Sequence, residues 1–160
     1  MATIHIVHGY IAFGKTTLAK KLASELPAVH LDADEWIRRL YGKDLPEDEF
    51  MPKVDIVVNF IWDMVARIIN AGADVVLDIG PWSRQMRADV ANTARQITKD
   101  VIFHTIVVDP KIARERLIKR NAENKILDVT TTEFFDKNLP LYEPISDDEG
   151  LVVKRYYQDK

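Results

Sequence analysis

Gly9-Tyr10-Ile11-Ala12-Phe13-Gly14-Lys15-Thr16 is the stretch from which the rest of the chain is read. It fits the spacing G-x-x-x-x-G-K-[ST]. Before it, the β-branched run over residues 3–8 predicts a strand. After it, Leu18, Ala19, Leu22, Ala23 and Leu26 recur at three- and four-residue steps, which predicts a helix over 16–26 that Pro27 ends. A glycine turn between strand and helix suits a phosphate group. Glycines let the backbone wrap closely, and the amides at the helix start point at the anion. The stretch expected to hold the nucleotide is therefore Gly9, Tyr10, Ile11, Ala12, Phe13, Gly14, Lys15, Thr16 and Thr17. Lys15 is expected to reach the β- and γ-phosphates, Thr16 to ligate Mg²⁺ and Thr17 to meet the α-phosphate. The plain alternative, an exposed lysine on a glycine turn, does not account for the flanking strand and helix.

Outward from this loop, strands and helices alternate. A strand over 28–32 precedes a helix over 34–40, and 41–52 reads as loop, punctuated by Gly42, Pro46 and Pro52. Val54, Val57, Val58, Ile61, Val65, Ile68 and Ile69 make a helical stripe ending near Gly72. A strand over 74–79, a helix over 83–98 and an apolar strand over 101–108 follow, and Pro110 opens a helix to about residue 121. Residues 122–148 read as irregular, interrupted by a short helix over 131–138. Leu151 to Val153 predict a fifth strand, and 156–160 a loose tail. The pattern predicts an α/β fold with a mostly parallel sheet, in one domain over 1–160.

The chain has 160 residues, a net charge of −3 and no cysteine. Disulfides, thiolate zinc sites and cysteine nucleophiles are thereby excluded. The acidic balance argues against a duplex nucleic-acid partner, while a narrow single-strand channel stays open. No apolar run suggests a membrane helix and the N-terminus reads as strand, so a cytoplasmic setting is expected.

The carboxylates come next. Val75-Val76-Leu77-Asp78 is an apolar strand ending in an acid, the position from which an aspartate holds Mg²⁺ in phosphate-loop proteins. Asp32, Asp34 and Glu35 follow the second strand, at the end where parallel sheets bind ligands. A hydroxyl acceptor needs a carboxylate to orient it or take its proton; Asp34 is the first candidate and Asp32 the second. The competing role for Asp34 is a helix N-cap. Arg38, one turn on, suits an acceptor phosphate or carboxylate, with Arg39 its competitor. Trp36 and Trp82 suit the flanks of an acceptor, or the core. Arg116 and Arg120, four apart on one helix face, precede the irregular segment and suit a lid that clasps the transferring phosphate; a solvated basic face is the bland reading. Arg84 and Arg87 are further candidates for acceptor contact, or surface charges. His5, His8, His30 and His104 lack metal-ligand spacing, and His5 and His104 are expected to pack. The acidic runs 47–49 and 147–149 are expected to be solvated loops.

With these residues assembled, the chain resembles the small bacterial AAA-type ATP-binding proteins of the P-loop kinase superfamily. It is more distantly similar to zeta toxins, chloramphenicol phosphotransferase and the kinase half of polynucleotide kinases. The matching segments are 8–17, 34–38 with 40–42, 75–84, 116–121, 132–135 and 142–144. The resemblance implies a three-layer sandwich: a five-stranded parallel sheet in the order 2-3-1-4-5, helices on both faces and a small lid over about 116–148. It implies binding of ATP and Mg²⁺, with transfer of the γ-phosphoryl group to a hydroxyl. Asp34 then serves as base, and Arg116 and Arg120 stack on adenine and clasp phosphates. Lys15, Asp34 and Arg120 are the expected catalytic set, Asp32, Arg38, Trp82 and Arg84 the acceptor side, and Thr16 and Asp78 the metal ligands. Ala12 and Phe13 depart from the kinase pattern of a glycine and a small residue; a positive φ at Ala12 costs on the order of 1 kcal/mol. The expected activity is an ATP-dependent kinase acting on a small metabolite, nucleotide-sugar or antibiotic. The alternatives are a polynucleotide 5′-hydroxyl kinase and a nucleotide-binding switch or regulatory ATPase with no acceptor.

Overall fold

The computed structural model describes residues 1–43, 45–123 and 130–158. Five strands form one parallel sheet: β1 (Ile4–His8), β2 (Ala28–Asp32), β3 (Asp74–Asp78), β4 (Val101–Val108) and β5 (Val153–Gln158). Their order is β2-β3-β1-β4-β5, as expected. The register sets Ile4 beside Val75 and Val101, and Asp32 beside Asp78. Side chains alternate between the two faces of each strand. Ile4, Ile6, Val75, Leu77 and Phe103 therefore meet one helical layer, made of α2 (Ala33–Tyr41), α3 (Glu47–Asn70) and α4 (Arg84–Ile97). Val7 and Val76 meet α1 (Lys15–Glu25), while Ile106 and Val108 meet α5 (Pro110–Glu123). A short helix α6 (Thr132–Asn138) and a 3-10 turn (Leu139–Leu141) lead to a strap that returns to β5.

Three expectations are corrected. The loop before α3 is short, because α3 begins at Glu47 and carries Pro52 inside it. Proline there deletes one amide near the helix start, and the acidic run 47–49 opens the helix instead of lying in a loop. Asp48 and Glu49 lie in the first turn, where carboxylates complement the positive helix end, and Glu49 pairs with Lys53 one turn on. The last strand lies further along than expected, so Tyr156 belongs to the sheet and not to a tail; its hydroxyl bonds His104 Nδ1 at 2.8 Å. Leu151, expected in the strand, packs against the core just before it. Finally, Glu149 is not a solvated acid: it forms a salt bridge with Arg87 at 2.7 Å, with 4% and 0% of the two side chains exposed.

Arg87 is the centre of this clasp. Its Nε and Nη2 hold both Glu149 oxygens, Nη1 donates to the carbonyls of Trp82 and Glu143, and Nη1 also meets His8 Nε2 at 3.3 Å. A buried guanidinium needs such saturation, because an unpaired charge in the interior is strongly unfavourable. The result ties residues 143–149 to the start of α4 and the end of β1. Beside it, Arg84 pairs with Asp148 at 2.9 Å on the surface.

Candidate functional site

The site is built where β1, β2 and β3 end. Gly14 caps α1 with φ 97°, and no side chain caps the helix. In α2, α4 and α6 the capping side chains of Asp32, Ser83 and Thr131 each accept a first-turn amide. The first turn of α1 thus keeps its amides for a ligand, the electrostatic condition for holding an anion. Thr16 and Thr17 are exposed at this turn. Ala12 takes φ 60°, among the described residues the one non-glycine in the left-handed region. The strained backbone anticipated there is present.

Two loop side chains do not face a nucleotide. Tyr10 is fully buried and Phe13 is 2% exposed. Tyr10 packs at tilted and edge-on angles among Trp82, Phe135 and Tyr142, and its hydroxyl donates to the Phe135 carbonyl at 2.8 Å. Phe13 packs edge-on to Tyr142. A β-carbon on Gly9 would come within 3.2 Å of the Phe13 Cβ, so the glycine permits this close packing. The loop is therefore bolted from beneath by aromatics, and the large residue at 13 fills the core instead of the entrance.

Lys15 Nζ donates to the Tyr10 carbonyl at 3.1 Å. Burial pulls its pKa down, while Asp78, Asp34 and Asp32 push it up and Arg120 pushes it down again. Four of the expected site residues are thus in electrostatic reach of one ammonium. Asp78 is 8% exposed, and burial lifts its pKa to about 6, with Asp32 and Asp34 adding to the rise and Lys15 opposing it. No hydrogen bond is made to its carboxylate by the described residues. A buried carboxylate and an exposed threonine hydroxyl are both oxygen donors of the kind Mg²⁺ takes. The residues present fit such an ion.

At the end of β2, the cap role falls to Asp32, whose Oδ1 accepts from the Glu35 amide at 3.2 Å. Asp34 is instead exposed in the first turn of α2, with Arg38 exposed one turn further. Arg39 pairs with Glu35 at 2.9 Å. Trp36 packs toward Phe60 and the main core, and Trp82 belongs to the aromatic cluster under the loop. Arg84 and Arg87 are engaged by Asp148 and Glu149.

A cleft of about 460 Å³ opens beside the loop. Ala12, Leu18, Ile106 and Tyr156 give it an apolar wall, and Thr17, Arg116 and Gln158 a polar rim. Arg116 Nη1 donates to Gln158 Oε1 at 2.7 Å. Tyr156 and Gln158 went unnoticed in the sequence because the strand carrying them reads as a tail. The expected lid over 116–148 divides. Its middle, 124–129, lies outside the described residues, while Phe135 and 143–149 are tied to Tyr10 and Arg87.

Residues 4–143 match a family model described as an AAA domain. A shikimate kinase of Alteromonas mediterranea is 25% identical over 148 residues, covering 87% of this chain and 81% of that protein. A sugar kinase structure from Janibacter sp. superposes with a TM-score of 0.67 at 15% identity, over 98% of this chain and 86% of that one. Kti12 of Chaetomium thermophilum, solved in complex with ADP-AlF3, gives 0.65 at 15% identity, over 96% and 89% of the two chains. These structural likenesses place the chain in the P-loop kinase fold.

Proposed function

Since the chain belongs to the AAA domain family whose model spans most of its length, we propose that it is an ATP- and Mg²⁺-dependent kinase acting on a hydroxyl of a small molecule. The observation that carries this is the convergence of Asp78, Asp34, Asp32 and Arg120 on the Lys15 ammonium, beside a helix start with no side-chain cap. The names of the shikimate kinase and sugar kinase relatives favour a small hydroxylated acceptor.

The roles follow from chemistry. The amides of α1 and the Lys15 ammonium bind the β- and γ-phosphates and stabilise the charge that spreads over the transferring group. Thr16 and Asp78 would hold Mg²⁺, which neutralises phosphate charge when bound. Asp34 orients the acceptor hydroxyl and takes its proton as the oxygen attacks phosphorus. Because Asp32 supplies the cap, Asp34 is not committed to one. Arg120 moves toward the departing ADP side as the lid closes, and Arg38 meets an anionic group on the acceptor.

The test is a transfer screen. Labelled ATP, Mg²⁺ and the protein are incubated with pools of sugars, sugar acids, nucleosides, antibiotic alcohols and 5′-hydroxyl oligonucleotides. A labelled product from a small-molecule pool is expected, lost in Asp34→Asn while ATP affinity stays within about threefold. Hydrolysis to inorganic phosphate that no acceptor or Asp34→Asn alters would count against the kinase reading.

A further inference from the structure

The rim of the cleft carries a polar group whose orientation is dictated by its neighbour. Gln158 ends β5 and accepts from Arg116 through Oε1. A guanidinium has five N–H groups and no acceptor, so only the amide oxygen can face it. Nε2 is thereby turned the other way. It lies 3.7 Å from the point where a β-carbon on Gly14 would stand, and makes no hydrogen bond among the described residues. Gly14 and Gln158 thus oppose each other across the mouth of the cleft. Tyr156 beneath keeps one orientation, because its hydroxyl is engaged by His104.

We propose that Gln158 determines the base specificity of this cleft: Arg116 holds its carboxamide as a donor, and the donor bonds N1 of adenine lying on Leu18, Ile106 and Tyr156. This rests on the reading of the cleft as the nucleoside site. Every ring nitrogen on the free edges of adenine is an acceptor, whereas guanine carries a hydrogen at one of them. Guanine's N3, N7 and O6 also accept, so a donor separates the two bases only where it meets N1, an acceptor in adenine and an N–H in guanine. Arg116 becomes a positioning residue for Gln158, in addition to any contact it makes with the nucleotide.

The test uses the full chain with Mg²⁺ and calorimetric binding of ATP, GTP, inorganic tripolyphosphate and the 1-, 3- and 7-deaza analogues of ATP. Gln158→Glu keeps a partner for Arg116 but replaces the donor with an acceptor; Gln158→Leu removes both. The wild type is expected to prefer ATP to GTP and to bind the 1-deaza analogue about tenfold more weakly than ATP. Both variants should lose about tenfold for ATP, cease to distinguish that analogue, and bind tripolyphosphate as the wild type does. Equal binding of ATP by wild type and Gln158→Glu overturns the proposal, as does a wild type indifferent to the 1-deaza analogue. If tripolyphosphate binds but no purine preference appears, this proposal falls and the phosphate-loop reading stands. If neither ATP nor tripolyphosphate binds, both fall.

Discussion

Ala12 holds φ 60°, a conformation that costs an L-residue with a β-carbon on the order of 1–2 kcal/mol. Glycine there relieves the strain but adds backbone freedom to the unfolded chain, so the two effects partly cancel. Ala12→Gly is expected to stabilise the protein by up to about 1 kcal/mol, read as a rise in calorimetric Tm. Lys15 stands differently, because nothing else on the loop brings a positive charge to the phosphates. Lys15→Met should lower ATP turnover by at least about a hundredfold while circular dichroism stays native; a residual rate near wild type would sink the role given to this residue. Asp78 predicts a ligand effect. Burial lifts its pKa to about 6 against the pull of Lys15, so a divalent cation with nucleotide removes a charge-desolvation cost as well as adding contacts. Scanning calorimetry should show a Tm increase with ATP and Mg²⁺ together that exceeds the increase with ATP alone, and Asp78→Asn should abolish that difference.

Among the elements, α6 and the strap that follows it differ from the end of α5. Tyr10 bonds the Phe135 carbonyl, and Arg87 grips Glu149 and the Glu143 carbonyl. These bonds make 131–149 part of the frame beneath the phosphate loop. The proposed lid is then reduced to the part of α5 that carries Arg116 and Arg120. Hydrogen exchange should show nucleotide-dependent protection at 116–123 and little change at 132–149; equal changes in both would contradict this division. The clasp also has a stability consequence. Glu149→Gln leaves a buried guanidinium short of its counter-charge, and breaking such a pair costs about 3–5 kcal/mol. Denaturant melts of Glu149→Gln and of the surface variant Asp148→Asn should differ widely, with the second within about 0.5 kcal/mol of wild type.

For the molecule as a whole, pH stability is decided by competing buried groups. His8 is held down to about 3, chiefly by burial and then by the Arg87 and Lys15 charges. His104 is held down to about 4 by burial and by His5. Their unfolded pKa is near 6.5. Between that value and 4 the unfolded chain takes up protons that the folded chain refuses, so stability falls as pH falls through this window. Asp78 acts oppositely: its folded pKa near 6 lies above its ordinary 3.8, so its protonation favours the fold as pH drops between them. Two histidines against one carboxyl leave a net loss, on the order of several kcal/mol, between about pH 6.5 and 4. Urea midpoints should fall across that range, and His104→Gln should flatten the slope. Among the described residues, no helix is long and apolar enough to cross a membrane.

Local patterns were enough for the phosphate loop, the parallel strands and the acids at their ends. Each of these lies in a short stretch, where glycine spacing or an apolar run has few other physical meanings. Pro52 and the run 47–49 misled because a helix boundary depends on packing further along α3 as well as on local breakers. The roles of Asp32 and Asp34 were not separable from their types, since either carboxylate can cap; the backbone angle at the end of β2 chose Asp32. Arg87, Glu149, Tyr10 and Phe13 look like surface charges and loop aromatics in one dimension. Only the tertiary structure put Arg87 against a glutamate 62 residues away and Tyr10 against a carbonyl 125 residues away. Gln158 gained its meaning in the same way: one guanidinium, brought across from α5, decides which end of its amide meets the cleft. Long-range pairs of this kind leave no periodicity behind, because nothing in the spacing of a chain records which distant neighbour will satisfy a buried polar group.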